Sequence, residues 1–145
     1  QEKIREFAKG ANGYDNDRVV DVFIKDKDNN HYFIDITSPK SNMKEAGALK
    51  LKLMRWTAIG LSSYKANKVY AFVAYPYNPN YPEPYKRFST SIFDEKKDIL
   101  IQENFWNKIS GFEVYDDLLK IINKVGKKNM KAMKAKIKQL STQSN

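Results

Sequence analysis

Residues 18–42 read RVVDVFIKDKDNNHYFIDITSPKSN, and the reading of this stretch decides the fold. Two apolar, β-branched runs, 19–24 and 32–36, flank the polar segment 25–30, a pattern that predicts an antiparallel hairpin. Asp21 sits inside the first run and Asp35 inside the second. An acid among valines and isoleucines is costly unless something cationic compensates it, and a divalent metal does so with carboxylate and backbone oxygens. Two carboxylates on neighbouring strands therefore point to a magnesium site. The alternative is that both acids lie on the solvated face of a half-buried sheet, since alternation sets Asp21 out of phase with Val20 and Val22. Spacing alone leaves both readings open.

Downstream of the hairpin, the loop TSPKSNMKE places Asn42 three residues before Glu45, the capping-box arrangement, and a helix is predicted from there to about Ser63. Its apolar positions Ala46, Leu49, Leu53, Trp56 and Ile59 or Gly60 follow the helical period and read as a core face. Lys44, Lys50, Lys52 and Arg55 lie on other faces as mostly solvated charges, though a helix directly after the acid strand can also lend it a lysine. Residues 68–75, KVYAFVAY, suit a buried strand, and the intervening helix implies that it runs parallel to one of the earlier pair.

Residues 75–91, YPYNPNYPEPYKRFSTS, hold four of the five prolines and four tyrosines, which excludes helix and central strand. A plain surface connector is one reading. The other is a recognition loop, in which Tyr77, Asn78, Tyr85, Lys86 and Arg87 stack on or hydrogen-bond to nucleic acid. Residues 98–109 have Leu100, Ile101, Phe105, Trp106 and Ile109 at helical spacing and predict a helix ended by Gly111. A second helix is expected over 114–125, stopped by Gly126, and a third, amphipathic one over 128–140. Upstream of the hairpin, residues 2–9 predict a short helix ending at Gly10, with Glu2 and Glu6 on one face.

A length of 145 residues suits one domain with a lysine-rich helical segment over 114–145, and the chain opens on Gln1 as a piece of a longer protein would. Without cysteine the fold cannot rest on disulfides or a thiolate zinc site, and no apolar segment supports a signal peptide or membrane span. The expectation is a soluble protein of the cytoplasm. The net charge of +9 is concentrated at the end, where residues 118–145 carry eight lysines and no Asp or Glu. Such a stripe, Lys127, Lys128 and Lys131 among it, attracts polyanions or simply keeps a face solvated.

The order of acid, strand, turn, Asp35-Ile36, polar loop and long helix resembles the PD-(D/E)XK nuclease core. Asp35-Ile36 with Pro39, Lys40 and Asn42, the helix carrying Leu49 to Trp56, and the later YPYNPNYPEPYKR and ENFWNKISG segments resemble the TdeIII family of type II restriction endonucleases, over about residues 15–125. The resemblance implies an α/β fold, a small mixed β-sheet flanked by helices with a helical C-terminal part. It further implies a prokaryotic magnesium-dependent enzyme that cuts double-stranded DNA. Asp21, Asp35 and the Ile36 carbonyl would hold Mg2+, with Glu6 of the leading helix as a further candidate ligand. Short, GC-rich interrupted palindromes are implied as sites, and palindromes imply a homodimer.

One position departs from the family pattern, which reads Asp-Ile-Lys where this chain has Asp35-Ile36-Thr37. A hydroxyl carries no positive charge and is a poor base at neutral pH, so Thr37 cannot do what a lysine does there. Lys40 is the first substitute in reach and Lys44, at the helix start, the second. The only histidine, His31, excludes mechanisms needing two and reads as a turn-flanking surface residue. Two other classes remain: a non-catalytic nucleic-acid-binding module of the same fold, and a basic protein-interaction domain whose acids are solvated. Metal dependence separates the enzyme from both, and salt-dependent DNA affinity separates the third from the first two.

Overall fold

The computed structural model describes residues 19–143, and the expected N-terminal helix with Glu2 and Glu6 lies outside them. The chain divides into two compact units, residues 1–105 and 106–145. In the first, β1 (Val22–Lys25) and β2 (His31–Ile36) form the antiparallel hairpin, and α1 (Met43–Ser62) crosses to β3 (Val69–Tyr75). A short 3-10 helix (Phe88–Ile92) precedes β4 (Ile99–Ile101). The sheet runs β1-β2-β3-β4, with β2, β3 and β4 parallel, so it is small and mixed as expected. Helix α2 (Glu103–Ser110) follows β4, and α3 (Tyr115–Gln143) forms most of the second unit.

The hairpin turns on Asp26, whose Oδ1 accepts the amides of Asp28 and Asn30, while Asn29 takes the left-handed conformation at φ 56° that Asn tolerates. At the head of α1 both halves of the capping box form: Asn42 Oδ1 accepts the Glu45 amide and Glu45 Oε2 accepts the Asn42 amide. The predicted apolar stripe faces the sheet, with Ala46, Leu53 and Trp56 buried and Leu49 partly so against Phe33, Val69, Ala71, Val73 and Tyr75, and Leu61, not part of that stripe, buried beside them. Closest approach falls at Gly60, where a Cβ would lie 2.6 Å from Val69 Cγ2 and 3.1 Å from Phe33 Cε2.

Four expectations are corrected. Residues 99–101 are strand, not helix, because three consecutive apolar residues pair with Val73, Ala74 and Tyr75 of a buried parallel strand; Gln102, at φ 51°, breaks the run before α2 begins. Gly126 does not end a helix: α3 passes through it, and the glycine that does end one, Gly111 after α2, has φ 75°. Lys50 and Lys52 are not simply solvated. Lys50 ion-pairs with Asp98 at the start of β4, and Lys52 with Asp35.

His31, finally, is buried at 3% exposure, in an aromatic cluster with Phe23, Phe33 and Tyr64. It belongs to β2 on the face that α1 covers, which a turn-flanking position in sequence does not reveal. Its Nε2 lies 3.2 Å from Asn29 Oδ1, and its Nδ1 is buried without a hydrogen-bond partner. Burial first, and the Lys25 charge second, lower its pKa below the ordinary 6.5. The fold thus prefers neutral imidazole while the unfolded chain binds the proton near 6.5, so stability is present above that value and falls as pH drops through it toward the folded pKa. Urea midpoints compared at about pH 7.5 and about pH 5.5 are expected to fall for the wild type and to fall less for His31→Gln. Equal pH slopes for the two proteins would contradict this.

Candidate active site at the end of the acid strand

The acid pair is placed by strand register. The sequence places Asp21 inside the first strand, but β1 begins at Val22 and Asp21 lies just before it in a bend. Continuing the register in which Val22 pairs with Ile34 and Phe23 with Phe33 brings it beside Asp35, whose carboxyl it influences directly. Phe23 contacts the rings of His31 and Phe33, so the odd positions of both strands share one face, and Asp21 and Asp35 extend that row. Asp21 Oδ2 accepts the Ile36 amide at 2.7 Å, which ties its carboxylate to the end of β2. The two carboxylates therefore lie beside one another on one face rather than on opposite sides of the sheet.

Asp35 is 7% exposed, and its Oδ1 accepts the Lys52 ammonium. Burial raises the Asp35 carboxyl above the ordinary 3.8; the Lys52 hydrogen bond and charge lower it, and the neighbouring Asp21 carboxylate raises it again. The net direction is upward because burial penalises the charged form by more than the one lysine offsets, with the Asp21 charge adding to it. The Lys52 Nζ also sits 4.8 Å from the centre of the Trp56 ring, one helical turn along α1.

Two carboxylates and the Ile36 carbonyl are hard oxygen donors of the kind magnesium takes, and the unfavourable charge on Asp35 gives a cation something to relieve. The donor set fits the ion. Among the described residues no group of three His, Cys, Asp or Glu side chains gathers as a metal cluster, so the described set is two carboxylates with backbone oxygen. Glu6 lies outside the described residues.

The remaining candidates fall around this centre. Thr37 follows β2 directly, half-buried, its amide donating to the Ala74 carbonyl at 3.0 Å. Lys40 and Lys44 are both exposed, one in the turn after β2 and the other in the first turn of α1. Tyr85 and Arg87 point back to that turn: the Tyr85 hydroxyl donates to the Pro39 carbonyl at 2.9 Å, and Arg87 Nη1 donates to the same oxygen at 3.3 Å. Burial first of all pushes the Tyr85 phenol up to about 12, so it stays a neutral donor. Asn78 organises its own loop, donating through Nδ2 to Glu83 and accepting from the Asn80 amide through Oδ1. Tyr77 and Lys86 are exposed on that loop. Lys127 and Lys128 are exposed on α3, and Lys131 lies in the same helix.

Asp35, Tyr75 and Ile101 all stand at the carboxyl ends of parallel strands, the edge where α/β sheets bind ligands. A pocket at this edge is lined by Asn78, Tyr85, Ile101, Gln102, Glu103 and Asn104. Neither Gln102 nor Asn104 stands out in the sequence, where helical spacing over 98–109 conceals the strand end that presents them.

A family model described as type II restriction endonuclease, HinfI, matches residues 1–126. The chain belongs to the HinfI family of type II restriction endonucleases. This HinfI-family chain is 30% identical over 125 residues to type II restriction enzyme MjaII of Methanocaldococcus jannaschii, a match covering 78% of the chain and 34% of that protein. It is 29% identical over 111 residues to type II restriction enzyme HgiCII of Herpetosiphon aurantiacus, covering 74% of the chain and 40% of the relative. It is 31% identical over 110 residues to type II restriction enzyme HgiEI of the same organism, covering 74% and 39%. The HinfI-family chain thus spans well under half the length of the curated relatives it matches. No solved structure matches it significantly. No helix among the described residues is long and apolar enough to cross a membrane.

Proposed function

We propose that this chain carries the cleavage centre of a magnesium-dependent type II restriction endonuclease that hydrolyses double-stranded DNA in a prokaryotic cytoplasm. The observation that carries the reading is the adjacent pair of Asp21, just before β1, and Asp35, near the end of β2, with Asp35 raised by burial and by its acidic neighbour. Asp21, Asp35 and the Ile36 carbonyl hold the cation in this reading, with Glu6 as a further ligand, and the PD-(D/E)XK pattern supplies the precedent. The bound cation supplies Lewis-acid stabilisation of phosphate charge and lowers the pKa of the attacking water. The Ile36 amide holds the Asp21 carboxylate in place, and the Tyr85 and Arg87 bonds to Pro39 brace the turn that carries Thr37 and Lys40.

The finer, TdeIII-like resemblance rests on Asp35-Ile36, Pro39, Lys40, Asn42 and the proline-tyrosine loop. Exposed Tyr77 and Lys86 on that loop are the groups free to meet DNA, and two copies meet a palindrome about a shared two-fold axis. The test is plasmid DNA incubated with the intact, full-length protein and Mg2+ or Mn2+. Discrete fragments are expected. Bound but uncut plasmid under both metals would replace the enzyme with a non-catalytic DNA-binding module.

The lysines of α3 give a separate expectation. Phosphate contacts position a protein without specifying sequence. Replacing Lys127, Lys128 and Lys131 with Gln is expected to weaken all duplexes alike and to reduce the salt slope of binding by about one for each phosphate no longer neutralised. An unchanged slope in a salt titration would assign these lysines to solubility instead.

A further inference from the structure

We propose that Lys52 supplies at the cleavage site the positive charge that Thr37 does not, an inference that rests on the endonuclease reading above. Its ammonium touches the Asp35 carboxylate directly, although 17 residues separate the two in sequence. The other nearby lysines are placed elsewhere: Lys50 is committed to Asp98, and Lys40 and Lys44 are exposed with no acid of the pair in contact.

Three features make Lys52 more than a neutralising partner. Its side chain is 27% exposed against 10% for that of Asp35, so it is the more accessible member of the pair. The Trp56 ring at 4.8 Å holds the ammonium from another side, so its position is set before substrate arrives. Lastly, α1 is anchored at its head by the Asn42–Glu45 capping box and along its length by the buried Leu53 and Trp56, which makes it a rigid support for an electrostatic group.

Phosphodiester hydrolysis joins a water oxygen to phosphorus and breaks the bond to the leaving sugar oxygen; the water loses a proton to solvent and the leaving oxygen gains one. Lys52 neither gives nor takes a proton in this step. Its role is to stabilise negative charge on the attacking oxygen and the phosphate, the role a lysine in place of Thr37 would play from the strand.

The test uses the full-length protein with Mg2+ for single-turnover cleavage and Ca2+ for DNA binding without cleavage. Lys52→Gln is expected to cut about two to three orders of magnitude more slowly, with calcium-supported DNA binding and melting temperature little changed. Adding Thr37→Lys to Lys52→Gln is expected to recover at least about tenfold in rate, which a purely structural ion pair would not permit. Lys52→Arg keeps the charge and the pair with Asp35 and provides a folded comparison should Lys52→Gln unfold; it is expected to stay within about tenfold of wild type, with Lys52→Arg/Asp35→Asn inactive. Lys52→Gln cutting at the wild-type rate would overturn the proposal while leaving the endonuclease reading intact. So would a double variant no faster than Lys52→Gln, or a folded Lys52→Arg slower than Lys52→Gln. A wild-type protein that cuts no DNA would overturn both.

Discussion

Asp35→Ala is expected to lower DNA cleavage by at least about three orders of magnitude while leaving the fold in place. The loss is large because two supports vanish together: one of the two carboxylates assigned to the cation, and the anchor of the Lys52 ammonium. The fold should survive. The Asp35 carboxyl is held above its ordinary pKa, so burying its charge is unfavourable to begin with, and the partly exposed Lys52 can turn to solvent. Asp21→Ala is expected to match the loss of rate by a different route, freeing the Ile36 amide that its Oδ2 accepts at 2.7 Å. Single-turnover cleavage, with circular dichroism as the check on folding, measures both. Either variant cutting within about tenfold of wild type would remove its carboxylate from the centre.

Trp56→Ala is expected to cost about 3–5 kcal/mol of stability. Trp56 is 2% exposed and stacks on Phe33 with ring centroids 5.9 Å apart, at the crossing of α1 over β2. Truncation leaves a cavity between helix and strand that the surrounding backbone cannot close, because Gly60 already brings α1 into contact with Val69 and Phe33. The same change removes the ring beneath Lys52, so cleavage should fall by more than unfolding alone explains. Trp56→Phe, which keeps a ring there, is expected to lose less of both. Urea denaturation reads the first effect, and a Trp56→Ala midpoint near that of wild type would contradict it.

Much of this fold was legible because local chemistry and tertiary packing agree along it. The hairpin follows from two β-branched runs around Asp26 and Asn29, α1 from Asn42, Glu45 and the period through Leu53 and Trp56, and β3 from an unbroken apolar run. Where the two levels disagree, sequence spacing misled. Leu100, Ile101, Phe105 and Trp106 fit a helical period, yet an unpaired edge beside Val73–Tyr75 captures residues 99–101 as strand. Gly126 looks like a stop, but an isolated glycine costs a helix only about 1 kcal/mol, too little to break α3.

The site divides along the same line. Asp21 and Asp35 could be paired from the hairpin alone, since register in a short hairpin is set by its turn. The choice between a shared cleft and a solvated face needed the covering helix, and so did Lys52. Its sequence signal is faint: it precedes Trp56 by four residues and so borders the apolar face of α1, a place where a charge needs a partner. Tyr85 and Arg87 read as recognition residues from their composition, and only the folded turn brings both to the Pro39 carbonyl.

The claim that Asp21 and Asp35 together hold a divalent cation is tested most directly by the binding of Mn2+ to the full-length protein, followed by electron paramagnetic resonance. Saturable binding is expected in the wild type and is expected to be lost or weakened by at least about tenfold in both Asp21→Asn and Asp35→Asn, each of which keeps the side chain's shape while removing its charge. Mn2+ binding undiminished in either variant would contradict it.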